Sequence, residues 1–235
     1  MPIRDKVILI TGATSLFGRQ LAETLSAQGA KLALCVRRMD AVDPTERDFL
    51  RRGIQAFVAP CDLRYEEDVV RMVHRVIRRF GRIDGVINAA AALGPREPVM
   101  DFPVDPWRNV LATNVTGTFL VCREVLPWMH RHRFGRIVNI TTQLTEEAKA
   151  EWGAYLVSNH AVEGLTQLLA AEVKQADIRV NCFDIGMPLT NAETDEFPPQ
   201  LSESILNLLD DACDLNGERV TAGRVPIRDK VVFTD

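Results

Sequence analysis

Apolar runs of four to seven residues alternate along the chain with longer stretches in which apolar positions recur at helical spacing. Short buried strands produce the first pattern and amphipathic helices the second, so the chain reads as repeated strand-helix units. Strands are expected over Lys6–Thr11, Lys31–Val36, Gln55–Ala59, Gly85–Asn88, Arg136–Ile140 and Arg179–Asp184, and helices over 17–28, 65–80, 105–131 and 152–175, with helical pattern resuming at 201–212. In the second helix Val69, Met72, Val73, Val76, Ile77 and Phe80 share a face. Arg71, Arg75, Arg78 and Arg79 lie largely off it, as a solvated stripe or an attractor of phosphates. Such a succession predicts an α/β fold, a doubly wound parallel sheet in a single domain over 1–235, with right-handed crossovers and a ligand crevice at the carboxyl ends of the strands. The irregular stretch 186–199 holds Pro188, Pro198 and Pro199 and suits a substrate loop over that crevice.

Composition narrows the partners. The 235 residues are 46% hydrophobic and 26% charged, ordinary for a globular protein. A net charge of −4, from 28 basic and 32 acidic side chains, offers no global attraction for nucleic acid or an anionic membrane. No run approaches the roughly 20 apolar residues of a bilayer crossing, and the first residues lack a signal-peptide succession, so a cytoplasmic location is expected. Cys35, Cys61, Cys122, Cys182 and Cys213 form no close pair and read as buried free thiols. His74, His130, His132 and His160 show no metal-ligand grouping, so no metal is expected. One self-match, residues 2–7 repeated at 226–231 as Pro-Ile-Arg-Asp-Lys-Val, is too isolated to be a repeat architecture.

The first strand runs into Thr11-Gly12-Ala13-Thr14-Ser15-Leu16-Phe17-Gly18 and then a helix. A glycine turn opening a helix lets backbone N–H groups and the positive helix end meet a pyrophosphate, with Gly12 making the tight turn and Gly18 permitting close helix-strand contact. At the end of the second strand stands Cys35-Val36-Arg37-Arg38, with no acid at 35 or 36 to hold a ribose hydroxyl. Arg37 and Arg38 therefore point to the 2′-phosphate of NADP(H), the other reading being solvated charges at a loop entry.

These motifs, in this order over roughly 3–222, resemble a short-chain dehydrogenase/reductase, which implies a Rossmann fold. The turn resembles the family's TGxxxGxG, Cys61-Asp62-Leu63 its adenine-contacting acidic pair, and Asn88-Ala89-Ala90-Ala91 its NNAG. Asn114 matches the helix asparagine that anchors a relay water in relatives. The resemblance makes Gly12, Thr14, Ser15, Leu16, Phe17, Gly18, Asp62, Leu63, Asn88, Ala89, Ala90, Gly186 and Thr190 cofactor-binding candidates, the last as a nicotinamide contact. Leu16 stands where the middle glycine belongs, or, if the turn resembles the TGxxGxxG variant of longer relatives, Ser15 does; either way a Cβ must be accommodated, and Ser15 could compensate by donating its hydroxyl to phosphate.

Relatives use a serine to polarise the carbonyl, a tyrosine to pass the proton, and a lysine four residues later that lowers the tyrosine pKa and holds the ribose. Tyr155 fills the second role and Thr142, thirteen residues earlier, keeps a hydroxyl in the first. The third position is Asn159. An unperturbed phenol has a pKa of about 10, and a carboxamide carries no charge to lower it. Asn114, Thr142, Tyr155 and Asn159 are thus the catalytic candidates, with Tyr155 and Asn159 also facing the cofactor. Lys149 is six residues before Tyr155, off its helix face. Ile185 replaces the proline that usually stiffens the entry to the following loop.

Two function classes follow from the resemblance. One is an NADP(H)-dependent oxidoreductase of a small carbonyl or alcohol, weakened by Asn159. The other is a catalytically inactive relative that serves as a nucleotide-binding sensor or an assembly subunit. Relatives commonly pair through the two long helices, which implies a homodimer or homotetramer here, and the small residues Ala154, Ser158 and Ala161 would allow close helix approach.

Overall fold

A computed structural model describes residues 3–142, 150–173, 176–186 and 197–221. Seven parallel strands form one sheet in the order β3-β2-β1-β4-β5-β6-β7. They are β1 (Val7–Thr11), β2 (Lys31–Val36), β3 (Ala56–Pro60), β4 (Gly85–Asn88), β5 (Phe134–Thr141), β6 (Asp177–Asp184) and β7 (Arg219–Thr221). Strand order reverses between β1 and β4, and the crevice opens at the carboxyl ends there. Helices cover both faces: α1 (Leu16–Ala27), α2 (Val42–Arg51), α3 (Glu66–Phe80), α4 (Val104–Leu111), α5 (Gly117–His132), α6 (Gly153–Glu172) and α7 (Pro199–Leu209).

The near-continuous apolar strands have a simple cause: both faces are covered. Ile8 and Ile10 pack with Phe17, Leu21 and Leu25 of α1 and Ile205 and Leu209 of α7. Val7 and Leu9 point the other way, into the layer that holds Met72 and Val76 of α3, Val121 and Val125 of α5 and Leu169 of α6. Local signals fix the helix ends. Glu66, Glu67 and Asp68 occupy the first turn of α3 and Arg78 and Arg79 its last, as the helix dipole favours, before Gly81 closes it in a left-handed conformation.

The predicted strands and long helices are present, with three differences. The expected helix 105–131 is α4 and α5 joined by a π-helical turn, Ala112–Thr116, which contains Asn114. Helix α2 and strand β7 were not predicted. The final helix runs Pro199–Leu209, with Pro199 in its first turn where the missing N–H costs nothing. Residues 187–196 of the expected substrate loop, Lys149, and the second copy of the terminal self-match lie outside the described residues.

Candidate active site

The dinucleotide end is made mostly of main chain. Gly12 has φ +70°, and a Cβ there would lie 2.6 Å from the Ala89 carbonyl oxygen and 2.8 Å from the Ala90 Cα. Gly18 is as constrained, because its Cβ would run into the Gly12 carbonyl. The β1–α1 turn thus packs directly on the segment after β4, a cradle that any side chain would fill. Ser15 caps α1, accepting the Gly18 N–H at 3.0 Å and donating to the Gly12 carbonyl at 2.8 Å. Its hydroxyl proton is therefore spent inside the turn, and donation to a phosphate would require exchanging that bond. Leu16, the residue in place of the glycine, packs against the core at the first position of α1.

Beside this turn a pocket of about 270 Å³ is lined by Gly12, Thr14, Ser15, Cys35, Arg37, Cys61, Asp62, Leu63, Ala89, Ala90 and their neighbours. It separates the two arginines. Arg37 lines the pocket, whereas Arg38 is turned to Asp40, its Nε 2.9 Å from the carboxylate in a two-point pair. Of the two arginines expected to serve the cofactor, Arg37 thus faces the pocket and Arg38 is paired within its own loop. Phe17 also points elsewhere, its ring buried edge-on to Phe197 at 5.0 Å, so only its main chain is near the turn. Gly186 has φ +72°, donates to Asp184 Oδ1 at 2.8 Å and is absent from the pocket lining, and Thr190 lies outside the described residues. Asp62 accepts from Arg64 Nε at 2.9 Å, and that bond holds its carboxyl below the usual carboxylate range. Burial keeps the nearby thiols protonated. Cys122 and Cys182 are pushed up to about 12, and Cys35 is raised by its bond to Cys61 and by burial.

The chemistry end depends on side chains. Strand β5 delivers Thr142 and helix α6 delivers Tyr155, and Thr142 Oγ1 donates to the Tyr155 hydroxyl at 2.7 Å. Tyr155 is only 3% exposed. Asn159, one turn on, accepts the Thr142 N–H at 2.8 Å with Oδ1 and donates to the Tyr155 carbonyl at 2.8 Å with Nδ2. In place of a charge, the carboxamide supplies a clamp that pins the serine-position residue to the tyrosine's helix. Asn114 sits in the π turn, where an extra residue per turn re-aims side chains. Its Nδ2 donates to the Ala92 carbonyl and to Ser158 Oγ, both at 2.9 Å, and its Oδ1 accepts the Ala92 N–H at 2.7 Å. These groups surround a cavity of only about 20 Å³, room for one water. Asn88 lines it too, its Nδ2 donating to Asn139 Oδ1 at 2.9 Å. Asn88 Oδ1 and Thr141 Oγ1, also on this lining, are buried without a hydrogen-bond partner.

The order and geometry match one group of known proteins along most of the chain. The short chain dehydrogenase model matches residues 6–200. The chain belongs to this family. An uncharacterized oxidoreductase, YciK of Escherichia coli K12, is 30% identical over 201 residues, covering 84% of this chain and 79% of that protein. A protein of Escherichia coli CFT073 assigned to the short chain dehydrogenases and solved with NADPH superposes with a TM-score of 0.84 at 28% identity, over 95% of this chain and 98% of that one. NAD⁺-bound xylitol dehydrogenase gives 0.82 at 27%, over 94% and 98%. Short chain dehydrogenases bind NAD(P) and act on small molecules, and the glycine cradle, the α1 terminus and the 270 Å³ pocket fit such a dinucleotide. Among the described residues no helix is long and apolar enough to cross a membrane.

The spacing of the sequence brings Asn114, Thr142, Tyr155 and Asn159 together as expected. It did not reveal Ser158, which bridges Asn114 to the Tyr155 carbonyl, or the Ala92 and Thr113 pocket wall. A serine three residues after the tyrosine, on the same helix face, was the available signal for the first.

Proposed function

We propose that this short chain dehydrogenase is an NADP(H)-dependent reductase of a small carbonyl compound. The observation that carries this is the buried hydroxyl pair of Thr142 and Tyr155, 2.7 Å apart at the carboxyl end of β5. When bound, NADPH supplies the hydride that turns the carbonyl carbon into an alcohol carbon. Thr142 exchanges its hydrogen bond to the Tyr155 hydroxyl for one to the carbonyl oxygen, and Tyr155 gives its proton to that oxygen as the C–O double bond becomes single. Asn114 and Ser158 hold the tyrosine's helix turn, and Asn159 holds the Thr142 main chain. With Asn159 in the lysine position, that position brings no fixed positive charge to stabilise a phenolate, which suits proton donation better than abstraction, so reduction is the favoured direction. Arg37 in the adenosine-side pocket, and the absence of an acid at 35 or 36, support NADP(H) over NAD(H).

One observation favours a second reading. Both ends of the Asn159 carboxamide are already used within the protein, and the cavity at this place is small, as in a relative that keeps the site for structure and binds nucleotide as a sensor or assembly subunit. Asn159→Lys separates the two when NADPH oxidation is followed with a panel of ketones and aldehydes. Turnover by the wild type that vanishes in Tyr155→Phe supports the reductase. Silence in the wild type that becomes turnover in Asn159→Lys supports the second reading, and brisk wild-type turnover untouched by Tyr155→Phe overturns the assignment of roles. For assembly, Phe119 on α5 and Val157 and Leu168 on α6 are exposed apolar side chains. They support the expected homodimer or homotetramer, and sedimentation at the monomer mass would contradict it.

A further inference from the structure

We propose that Arg96 anchors an anionic group of the substrate, so that the compound reduced is an oxoacid whose carboxylate is separated from its carbonyl by an apolar spacer. This rests on the reductase reading above and adds the substrate class. Arg96 lies in the loop between β4 and α4, and its guanidinium carbon stands 4.4 Å from the centroid of the Trp152 ring. The Trp152 ring is in turn 6.0 Å from that of Tyr155, tilted by 52°. Guanidinium, indole and phenol are thus neighbours in succession, Trp152 lying between Arg96 and the ring that carries the reacting hydroxyl. Among the described residues Arg96 makes no ion pair or side-chain hydrogen bond, and its guanidinium lies over the ring.

The surroundings define what such a row would accept. The loop packs on the start of α6, where a Cβ on Gly153 would lie 3.6 Å from Val99 Cγ2 and 3.8 Å from Trp107 Cζ3. Val99 and Met100 are 75% and 89% exposed, which makes the rim apolar apart from its charges. A guanidinium held over an indole has already given up rotamer freedom, and the ring face consumes none of its N–H donors. It can thus meet a carboxylate with two parallel hydrogen bonds. Glu97, Asp101 and Glu151 belong to the same stretches. These three acids outnumber the one arginine and offer an anion no long-range attraction, so an anion is held there only by direct contact, and the distance between carboxylate and carbonyl matters. A 2-oxoacid, whose two groups are adjacent, has the shortest reach between guanidinium and phenol and is expected to bind worst. An aryl or longer aliphatic oxoacid reaches further.

The test uses two matched pairs, 4-acetylbenzoate with its methyl ester and levulinate with its methyl ester, and pyruvate as the short control. Binding is read by calorimetry with and without NADPH, and turnover by NADPH oxidation, for the wild type, Arg96→Ala and Arg96→Lys. At least one acid is expected to bind roughly tenfold or more tightly than its ester. That preference should disappear in Arg96→Ala, return in part in Arg96→Lys, and act on KM rather than kcat. Equal binding of acid and ester in both pairs, a preference that survives in Arg96→Ala, or pyruvate as the best ligand would each overturn the proposal. NADPH affinity is measured separately by tryptophan quenching. Its absence would overturn the reductase reading, while the acid-ester difference in the NADPH-free titration still decides the role of Arg96. Arg96 is solvent-exposed, so its replacement leaves the fold intact.

Discussion

The β1–α1 turn and the β5–α6 junction both depart from the family pattern, yet with unequal consequences. At the turn, Leu16 replaces a glycine, but the groups that receive a pyrophosphate are main-chain N–H groups and a helix end, and these persist whatever side chain stands at 16. Leu16 turns to the core, and Gly12 and Gly18 keep the close approach. At the junction the exchanged element is itself a side-chain property, since Asn159 brings no positive charge to the position that relatives fill with lysine. Asn159 reproduces the reach and hydrogen bonding of the position and leaves out its electrostatics. On the proposed reading, the backbone-built end therefore tolerates sequence drift better than the side-chain-built end.

The largest effect should come from the side-chain end. Tyr155→Phe keeps the buried ring and removes only the acid, so kcat for carbonyl reduction should fall by about 10²- to 10⁴-fold with NADPH affinity unchanged. Steady-state kinetics beside a fluorescence titration checks both halves, and a drop confined to NADPH affinity would break the division of labour between the two ends. The next effect belongs to the main-chain end. In Gly18→Val the new side chain meets the Gly12 carbonyl and the Ala13 Cα, both backbone atoms that cannot swing aside. A loss of about 1–3 kcal/mol of stability is expected, with NADPH binding lost alongside it. Urea unfolding and the same titration measure it. A silent Gly18→Val would mean that the turn is looser than its packing implies.

How much of this was legible in the sequence follows the same division. Continuous apolar runs expose strands buried on both faces, and helical spacing exposes helices with one apolar stripe, which is why β1, β2, β4 and α3 stand out. Helix α2 escapes because Val42–Arg51 is short and polar, carries Pro44 inside it, and buries only Thr45 and Phe49. Strand β7, three residues long, is set by pairing with β6 rather than by its own pattern. Motif spacing places Thr142, Tyr155 and Asn159 together, because i and i+4 on a helix share a face. It says nothing of the π turn around Asn114, which is a local change of hydrogen-bond partner. Nor could it choose between Arg37 and Arg38. That choice is made by Asp40, close enough in the chain to capture one of them. The Arg96–Trp152 stack joins residues distant in sequence and leaves no periodic trace.

The two arginines give a finer comparison within the dinucleotide end. Arg37→Ala should weaken NADPH by roughly tenfold and leave NADH unchanged, as loss of a charge-assisted contact to a 2′-phosphate requires. Arg38→Ala should change neither, since its guanidinium is occupied by Asp40. Equal losses in both variants would show instead that the region acts as a diffuse positive field, and high salt would then erase the preference.

The smallest effect concerns Asp62, the one carboxylate in the lining of the adenosine-side pocket. Its pKa is depressed, chiefly by the hydrogen bond from Arg64. A carboxylate whose folded pKa is below its unfolded value binds fewer protons when folded, so it adds stability above the unfolded pKa of about 3.9 and gives it up as pH falls through the lower folded value. Because both side chains remain partly in solvent, the contribution should be under about 1 kcal/mol. Urea midpoints of the wild type should therefore decline faster below pH 4 than those of Asp62→Asn, and the two curves should run parallel from pH 5 to 8. The same pair also tests the contrast between the two ends. Asp62 could contact adenine only by sharing oxygens that Arg64 already holds. If Asp62→Asn leaves NADPH affinity intact while altering only the acid limb, the dinucleotide end relies on its main chain even where it carries a charge. If affinity falls with it, a side chain matters there as well, and the tolerance of that end to drift is narrower than Leu16 suggests.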